Sequence, residues 1–389
     1  MRLTSFPLDD SLVVVGPRAG ELAVLNSTAR LIWEGKQRGW EVERIVARLA
    51  VAYGISEEVA RVDVAACLAS WAQAGLLDGS SPDDAAGRED ATGAVADSID
   101  SLEPERLADR AVRRRQDYLL GDRVFRVRYG SDSLWEAAGP LLAHLAIGSE
   151  ASARYSIDLA AVEGGFGVWR DGHGIARTAS RDGALYALRR EVLAVGCDRE
   201  WLVALHAAAV SDGKQSVVLA GPGGAGKSTL TAVLLKSGLV YLSDDVVPLE
   251  RESRTAVPVS VSLNLKPGSL PVLERYYPGI GALPGYSEGG ETVHFLPPPG
   301  FAGNPPRGNY PVKHLVFPNY EAGARTEIRA IGGVEALRRL IDGESLLRRP
   351  WSAEAVGELV GWIASVGAYT LIYENLEEAA ACVRNLLES

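Results

Sequence analysis

This sequence predicts two unlike folding units: an α/β domain built on a strand, a glycine-rich loop and a helix, preceded by a small α+β module. Three observations carry the prediction. The apolar strand Ser216-Val217-Val218-Leu219-Ala220 runs into Gly221-Pro222-Gly223-Gly224-Ala225-Gly226-Lys227-Ser228 and then into the helical stretch Thr229–Lys236. Before residue 78, apolar residues recur at helical spacing behind two short strands. Between these regions lies an acid-rich stretch with little apolar surface.

The 389-residue length suits two or three domains, and 47% hydrophobic with 23% charged residues is ordinary for a globular chain. A formal charge of −10 argues against general binding to nucleic acid or an anionic membrane. Cys67, Cys197 and Cys382 are far apart and form no CxxC pair, which excludes a disulfide framework and a cysteine zinc site. With no apolar run near the ~20 residues of a membrane span, the sequence reads as a soluble, cytoplasmic protein.

In the first 78 residues, Leu12–Val15 and Glu21–Leu25 read as strands, and Asn26-Ser27-Thr28 as a helix N-cap before Ala29–Glu34. Val42, Ile45, Val46 and Leu49 mark a second helix. Val59, Val62, Ala66 and Leu68 mark a third, giving β-β-α-α-α. Residues 79–109 hold nine acids and two bases and read as a flexible linker. Residues 110–199 form an α+β region leading into the domain at 200–389: Val124–Tyr129, Tyr155–Leu159 and Phe166–Trp169 alternate as strands, and 183–196 is helical.

The glycine loop matches G-x-x-x-x-G-K-[ST] in full. Its glycines let backbone N–H groups approach phosphate oxygens, and the helix N-terminus adds positive potential. Gly221 through Thr229 therefore form the nucleotide-binding stretch, Lys227 reaches the outer phosphates, and the Ser228 hydroxyl can ligate Mg²⁺. Leu239–Ser243 reads as a strand ending in Asp244-Asp245 at the carboxyl edge of the sheet. One acid can hold Mg²⁺ and the other can accept a proton from an attacking hydroxyl. His206, in the apolar run Trp201–Val210, reads as a core histidine or as a site residue.

These residues resemble the catalytic domain of HPr kinase/phosphorylase, a P-loop family that phosphorylates a protein serine. The family's order of His, phosphate loop and Asp-Asp pair recurs here, with His206 21 residues before Lys227 and Asp245 18 after it. The resemblance implies an α/β P-loop kinase domain of HPr-kinase type, ATP and Mg²⁺ as cofactors, and Asp245 as general base. It also implies His206 as a catalytic-site partner, and Ser228 with Asp244 at the metal. Pro258–Pro267 resembles a segment of HPr-kinase-related proteins found near peptide-modification genes, where Lys266 is a phosphate or substrate contact or a surface lysine. Pro306-Arg307-Gly308-Asn309 resembles a Gly-Arg-Asn turn of the family, which implies that Arg307 stabilises charge on the transferred group. The family's complete Glu-Ile-Arg-Gly run, which helps bind metal, does not occur.

Residues 1–78 resemble a second family, PqqD, through Val24–Ala29, Ile32-Trp33, Val42–Val46 and Ala74–Leu77. That resemblance implies a winged-helix-like module taking the leader of a ribosomally made precursor peptide as an added strand. DNA binding is disfavoured by the module's ten acids against eight bases. Together the halves imply a kinase that phosphorylates a peptide serine or other hydroxyl, with other peptide-modification enzymes as further partners. The alternatives are a leader-binding ATPase adaptor and a small-molecule kinase.

Overall fold

The computed structural model describes residues 3–16, 22–77, 111–148, 152–198, 200–288, 290–300, 306–308, 310–343, 345–346 and 352–389. The expected linker, 79–109, lies outside the described residues, as do Glu21 and Asn309. The chain divides into two compact units, residues 1–93, 331–338 and 348–367, and residues 94–330, 339–347 and 368–389.

The first unit opens with an antiparallel sheet, β1 (Ser5–Leu8), β2 (Ser11–Val15) and β3 (Leu22–Leu25), in that spatial order. Strand β1 was not expected from the sequence because Pro7 interrupts it; at a sheet edge the missing N–H is tolerated. Helices α1 (Ser27–Gln37), α2 (Val42–Tyr53) and α3 (Glu57–Gln73) follow. The Asn26 cap is as expected, its side chain accepting from Ala29 N at 2.9 Å. Gly54 ends α2 in the left-handed region at φ 66°.

The buried face of α3 differs from the expectation. Val59 and Val62 are 50% and 65% exposed, while Ala60, Val64 and Trp71 are buried. Ala60, Val64 and Trp71 share one helix face, about 150° round from the midpoint of Val59 and Val62. Large aromatic residues decide the matter: Trp71 meets Trp33 edge-on at 5.3 Å in a core that includes Ile32, Ile45 and Leu49. Residues 331–338 and 348–367 also belong to this unit, although the sequence assigned everything beyond 200 to one domain. Within them the helix Ala353–Ser365 packs on β1, where Gly357 lies so close to Phe6 that a Cβ would stand 2.5 Å from its ring. Among the described residues β1 and β3 are the two sheet edges, each pairing with β2 alone, and the helix Ala353–Ser365 packs on the β1 side.

Among the described residues the second unit holds three sheets. Strands β4 (Arg114–Leu120), β5 (Arg123–Tyr129), β6 (Ala146–Ile147), β7 (Tyr155–Val162), β8 (Gly165–Arg170) and β9 (His173–Thr178) lie in the order β6-β4-β5-β7-β8-β9. Helices α4 (Asp132–Leu142) and α5 (Arg181–Gly196) bury their apolar faces in the same core as β5, β7 and β8. Fully burying each such Leu or Val stabilises by about 1.5–3 kcal/mol.

The run Trp201–Val210, expected as one strand, is two: β10 (Val203–Leu205) and β11 (Ala207–Ser211), broken at His206. Next come β12 (Ser216–Ala220), α6 (Lys227–Lys236), β13 (Val240–Ser243), β14 (Val247–Leu249), β15 (Thr255–Ala256) and β16 (Leu263–Leu265). After α7 (Leu270–Leu273), strands β17 (Gly285–Glu288) and β18 (Glu291–Leu296) join β16 in a small antiparallel sheet. Strand β19 (Tyr310–Tyr320) lies parallel to β12 in the central sheet, whose order is β10-β14-β15-β19-β12-β11-β13. The register of this sheet builds the site. Strand β11 is antiparallel to both β12 and β13, with Ala207 opposite Ala220 and Ala209 opposite Ser243. The start of β11 therefore lies beside the ends of β12 and β13, and His206, Gly221 and Asp244 emerge at one edge.

Candidate active site

The loop after β12 bends where its sequence allows. Gly221, Gly224 and Gly226 have φ of 147°, 86° and 89°. Gly226 is the most constrained: it caps α6 in the left-handed region, and a Cβ would stand 2.3 Å from the Tyr373 hydroxyl. Lys227 is buried and its Nζ donates to the carbonyls of Gly221 at 2.6 Å and Pro222 at 3.1 Å. Burial pulls the ammonium pKa down, opposed by the charges of Asp244 and Asp245.

At the first turn of α6, Ser228 Oγ donates to Asp244 Oδ1 at 3.1 Å. The other carboxylate oxygen accepts the backbone N–H of Asn264 at 3.0 Å. Asp244 is 1% exposed. Burial, then the neighbouring Asp245 charge, pushes its carboxyl up to about 7. A buried carboxylate beside a hydroxyl, in a pair of hard oxygen donors, fits a divalent cation of the Mg²⁺ kind. Among the described residues no group of three or more His, Cys, Asp or Glu gathers to form an all-protein metal cage.

Asp245 stands at φ 76°, uncommon for a non-glycine residue. Three side chains hold it there. His206 Nδ1 donates to its carbonyl at 3.0 Å. Arg189 Nη2 donates to its Oδ2 at 2.6 Å, and Asn264 Nδ2 approaches the same oxygen at 3.4 Å. Burial alone would raise the Asp245 carboxyl, but the Arg189 guanidinium outweighs it and holds the group below the ordinary carboxylate range. With 20% of its side chain exposed, Asp245 remains reachable from solvent.

Five of the residues singled out from the sequence thus come together: His206, Lys227, Ser228, Asp244 and Asp245. Two do not join them. Lys266 pairs with Glu291 at 3.7 Å on the surface. Arg307 is exposed, with its carbonyl accepting the Tyr310 hydroxyl at 3.5 Å. The cationic partner is instead Arg189, which the sequence reading missed. Its signal was an arginine on the apolar face of a helix, between Leu188 and Val192, where a charge needs a partner. Asn264, alternating out of the strand Leu263-Asn264-Leu265, was missed too.

Comparison with known proteins adds the following. Residues 11–77 match the family model of coenzyme PQQ synthesis protein D (PqqD), in agreement with the three-strand, three-helix module described above. No curated protein matches the chain. Among solved structures, the HPr(Ser) kinase/phosphatase from Coxiella burnetii is similar at 16% identity, covering 47% of this chain and 88% of that one, with a TM-score of 0.22. That superposition leaves the second unit to be read from its own strand order and loop. The chain is therefore a PqqD-type module joined to an α/β unit bearing a complete phosphate-loop motif.

Proposed function

We propose that this chain is a kinase that transfers the γ-phosphoryl group of ATP to a hydroxyl, with serine the favoured acceptor, of a precursor peptide gripped by its PqqD-type module. The observation that most supports this reading is the Ser228–Asp244 bond of 3.1 Å at the head of α6, with Lys227 and a second carboxylate, Asp245, alongside. In this reading the loop amides from Gly221 to Thr229 cradle the phosphates, and Lys227 exchanges its carbonyl partners for phosphate oxygens. Ser228 and Asp244 hold Mg²⁺, which would neutralise charge on the β- and γ-phosphates. Asp245 orients the acceptor hydroxyl and takes its proton. A carboxylate held ionised by Arg189 is a weak base, which is enough in a loose transition state where the proton leaves late. His206 and Arg189 are positioning residues: one fixes the backbone of Asp245, the other its side chain. The peptide adds as a strand to β3, the sheet edge away from the helix Ala353–Ser365.

The Arg189–Asp245 pair also favours a second reading, in which nucleotide turnover drives a switch in a partner enzyme and no phosphate reaches the peptide. Incubating the chain with the peptide encoded beside its gene and γ-labelled ATP separates the two. A peptide carrying one phosphate supports the kinase, whereas free phosphate with an unmodified peptide supports the switch. Asp245→Asn should leave ATP binding near normal and cut transfer ~10²–10⁴-fold, as expected for a lost general base.

A further inference from the structure

We infer that the PqqD-type module carries a carboxylate-reading pocket beside the β3 edge, built to take an acidic side chain of the bound peptide. A cavity of ≈ 280 Å³ is lined by Arg30, Leu31 and Glu34 of α1, by Arg38 and Trp40 in the connection to α2, and by Arg48 of α2. Glu34 is shared by two arginines: Arg30 Nε donates to Oε1 at 2.9 Å and Arg38 Nη2 to Oε2 at 3.2 Å. Arg44 and Arg48 place their guanidinium groups over the Trp40 ring at 4.5 and 6.0 Å, and Arg38 lies 5.4 Å from it. Four guanidinium groups thus share one carboxylate and one indole ring, Arg30 and Arg38 on Glu34 and Arg38, Arg44 and Arg48 over Trp40, in a segment whose overall balance is ten acids to eight bases.

Like charges repel, and a π-face relieves only part of that repulsion. A second carboxylate would relieve the rest, and the planar fork of a guanidinium matches it with paired hydrogen bonds. Leu31 and Trp40 give the cavity an apolar wall for the ligand's aliphatic neighbour. Nucleic acid would instead need a line of cations tracking a phosphate backbone, and the exposed acids Glu41 and Glu43 interrupt the run between Trp40 and Arg44. The pocket lies near the end of the proposed peptide edge: Ser27, which also lines it, is two residues beyond Leu25, the last residue of β3. This inference rests on the peptide-binding reading of the module and specifies the chemistry it selects.

The test uses the full-length chain and fluorescent, end-capped peptides in which Leu alternates with Glu, Gln or Lys, together with oligothymidylate. Polarisation should show the Glu peptide binding about ten-fold tighter than the Gln peptide, with the Lys peptide weakest. Arg44→Gln/Arg48→Gln, two exposed positions, should erase that preference without changing the circular dichroism spectrum. Equal binding of Glu and Gln peptides, or an unchanged preference in the variant, overturns the pocket and leaves the peptide-binding reading standing. Failure of all three peptides to bind overturns both. Oligothymidylate binding tighter than the Glu peptide, and lost in the variant, overturns the proposal in favour of a nucleic-acid patch.

Discussion

Replacing Arg189 by methionine should cost the second unit about 3 kcal/mol, with most of the loss due to the charge it leaves behind. The Arg189 side chain is 5% exposed and Asp245 20%, joined at 2.6 Å. Removing one partner of a fully buried pair costs about 3–5 kcal/mol, and of a surface pair about 1 kcal/mol or less. Asp245 keeps some solvent and a weak contact to Asn264 at 3.4 Å, which places this pair toward the lower end of the buried range. Methionine retains most of the apolar volume but loses the guanidinium stacking on Phe295, 5.1 Å away, worth about 1 kcal/mol. Asp245→Asn removes the charge while keeping a residue type that tolerates positive φ. In the Arg189→Met background it should therefore cost little or even stabilise. Urea melting of the four proteins of this cycle, followed by circular dichroism, should give a coupling energy of at least about 1.5 kcal/mol. Additivity within about 0.5 kcal/mol would refute the claim that Arg189 acts through the Asp245 charge.

Three further outcomes are expected. His144 is buried with Nε2 donating to the Ser260 carbonyl at 2.8 Å, and burial, partly opposed by that bond, lowers its pKa from 6.5 to about 4. The unfolded chain then binds the extra proton between about pH 6.5 and 4. Stability should fall as pH falls through that window, by up to about 3 kcal/mol; in His144→Gln melting curves that contribution should vanish. Gly226→Ala adds about 1–2 kcal/mol of left-handed strain to a Cβ clash with Tyr373. It should abolish binding of a fluorescent ATP analogue, and adding Tyr373→Phe should recover only part of the lost melting temperature. Gly357→Val drives a side chain into Phe6 and should destabilise the first unit by about 1–3 kcal/mol in the same melting assay; an unchanged melting profile would argue that Ala353–Ser365 does not pack on β1.

Local chemistry made much of this protein legible in its sequence. The strand-loop-helix at 216–236, the Asn26 cap and the pattern Ile45-Val46-Leu49 all depend on residues within a turn or two of one another. The choice of buried face on α3 did not, because two aromatic rings decided it from opposite ends of the module. The helix Ala353–Ser365 belongs with a sheet more than 300 residues earlier, and no periodicity in its own sequence names that partner.

At the site, sequence alone determined the residue types that gather: a glycine loop ending in Lys-Ser and a strand ending in Asp-Asp, the types from which the proposed phosphate and metal contacts are drawn. Tertiary structure alone decided which cation faces the second aspartate. Helix α5 delivers Arg189 across 56 residues of chain to meet Asp245, while Arg307 and Lys266, chosen by likeness, stay on the surface. The reason is physical: an ion pair at 2.6 Å is set by where two packed elements bring their side chains, and burial of α5 is governed by its apolar residues, which say nothing about the partners of the charges, Arg189 and Glu191, carried in with them.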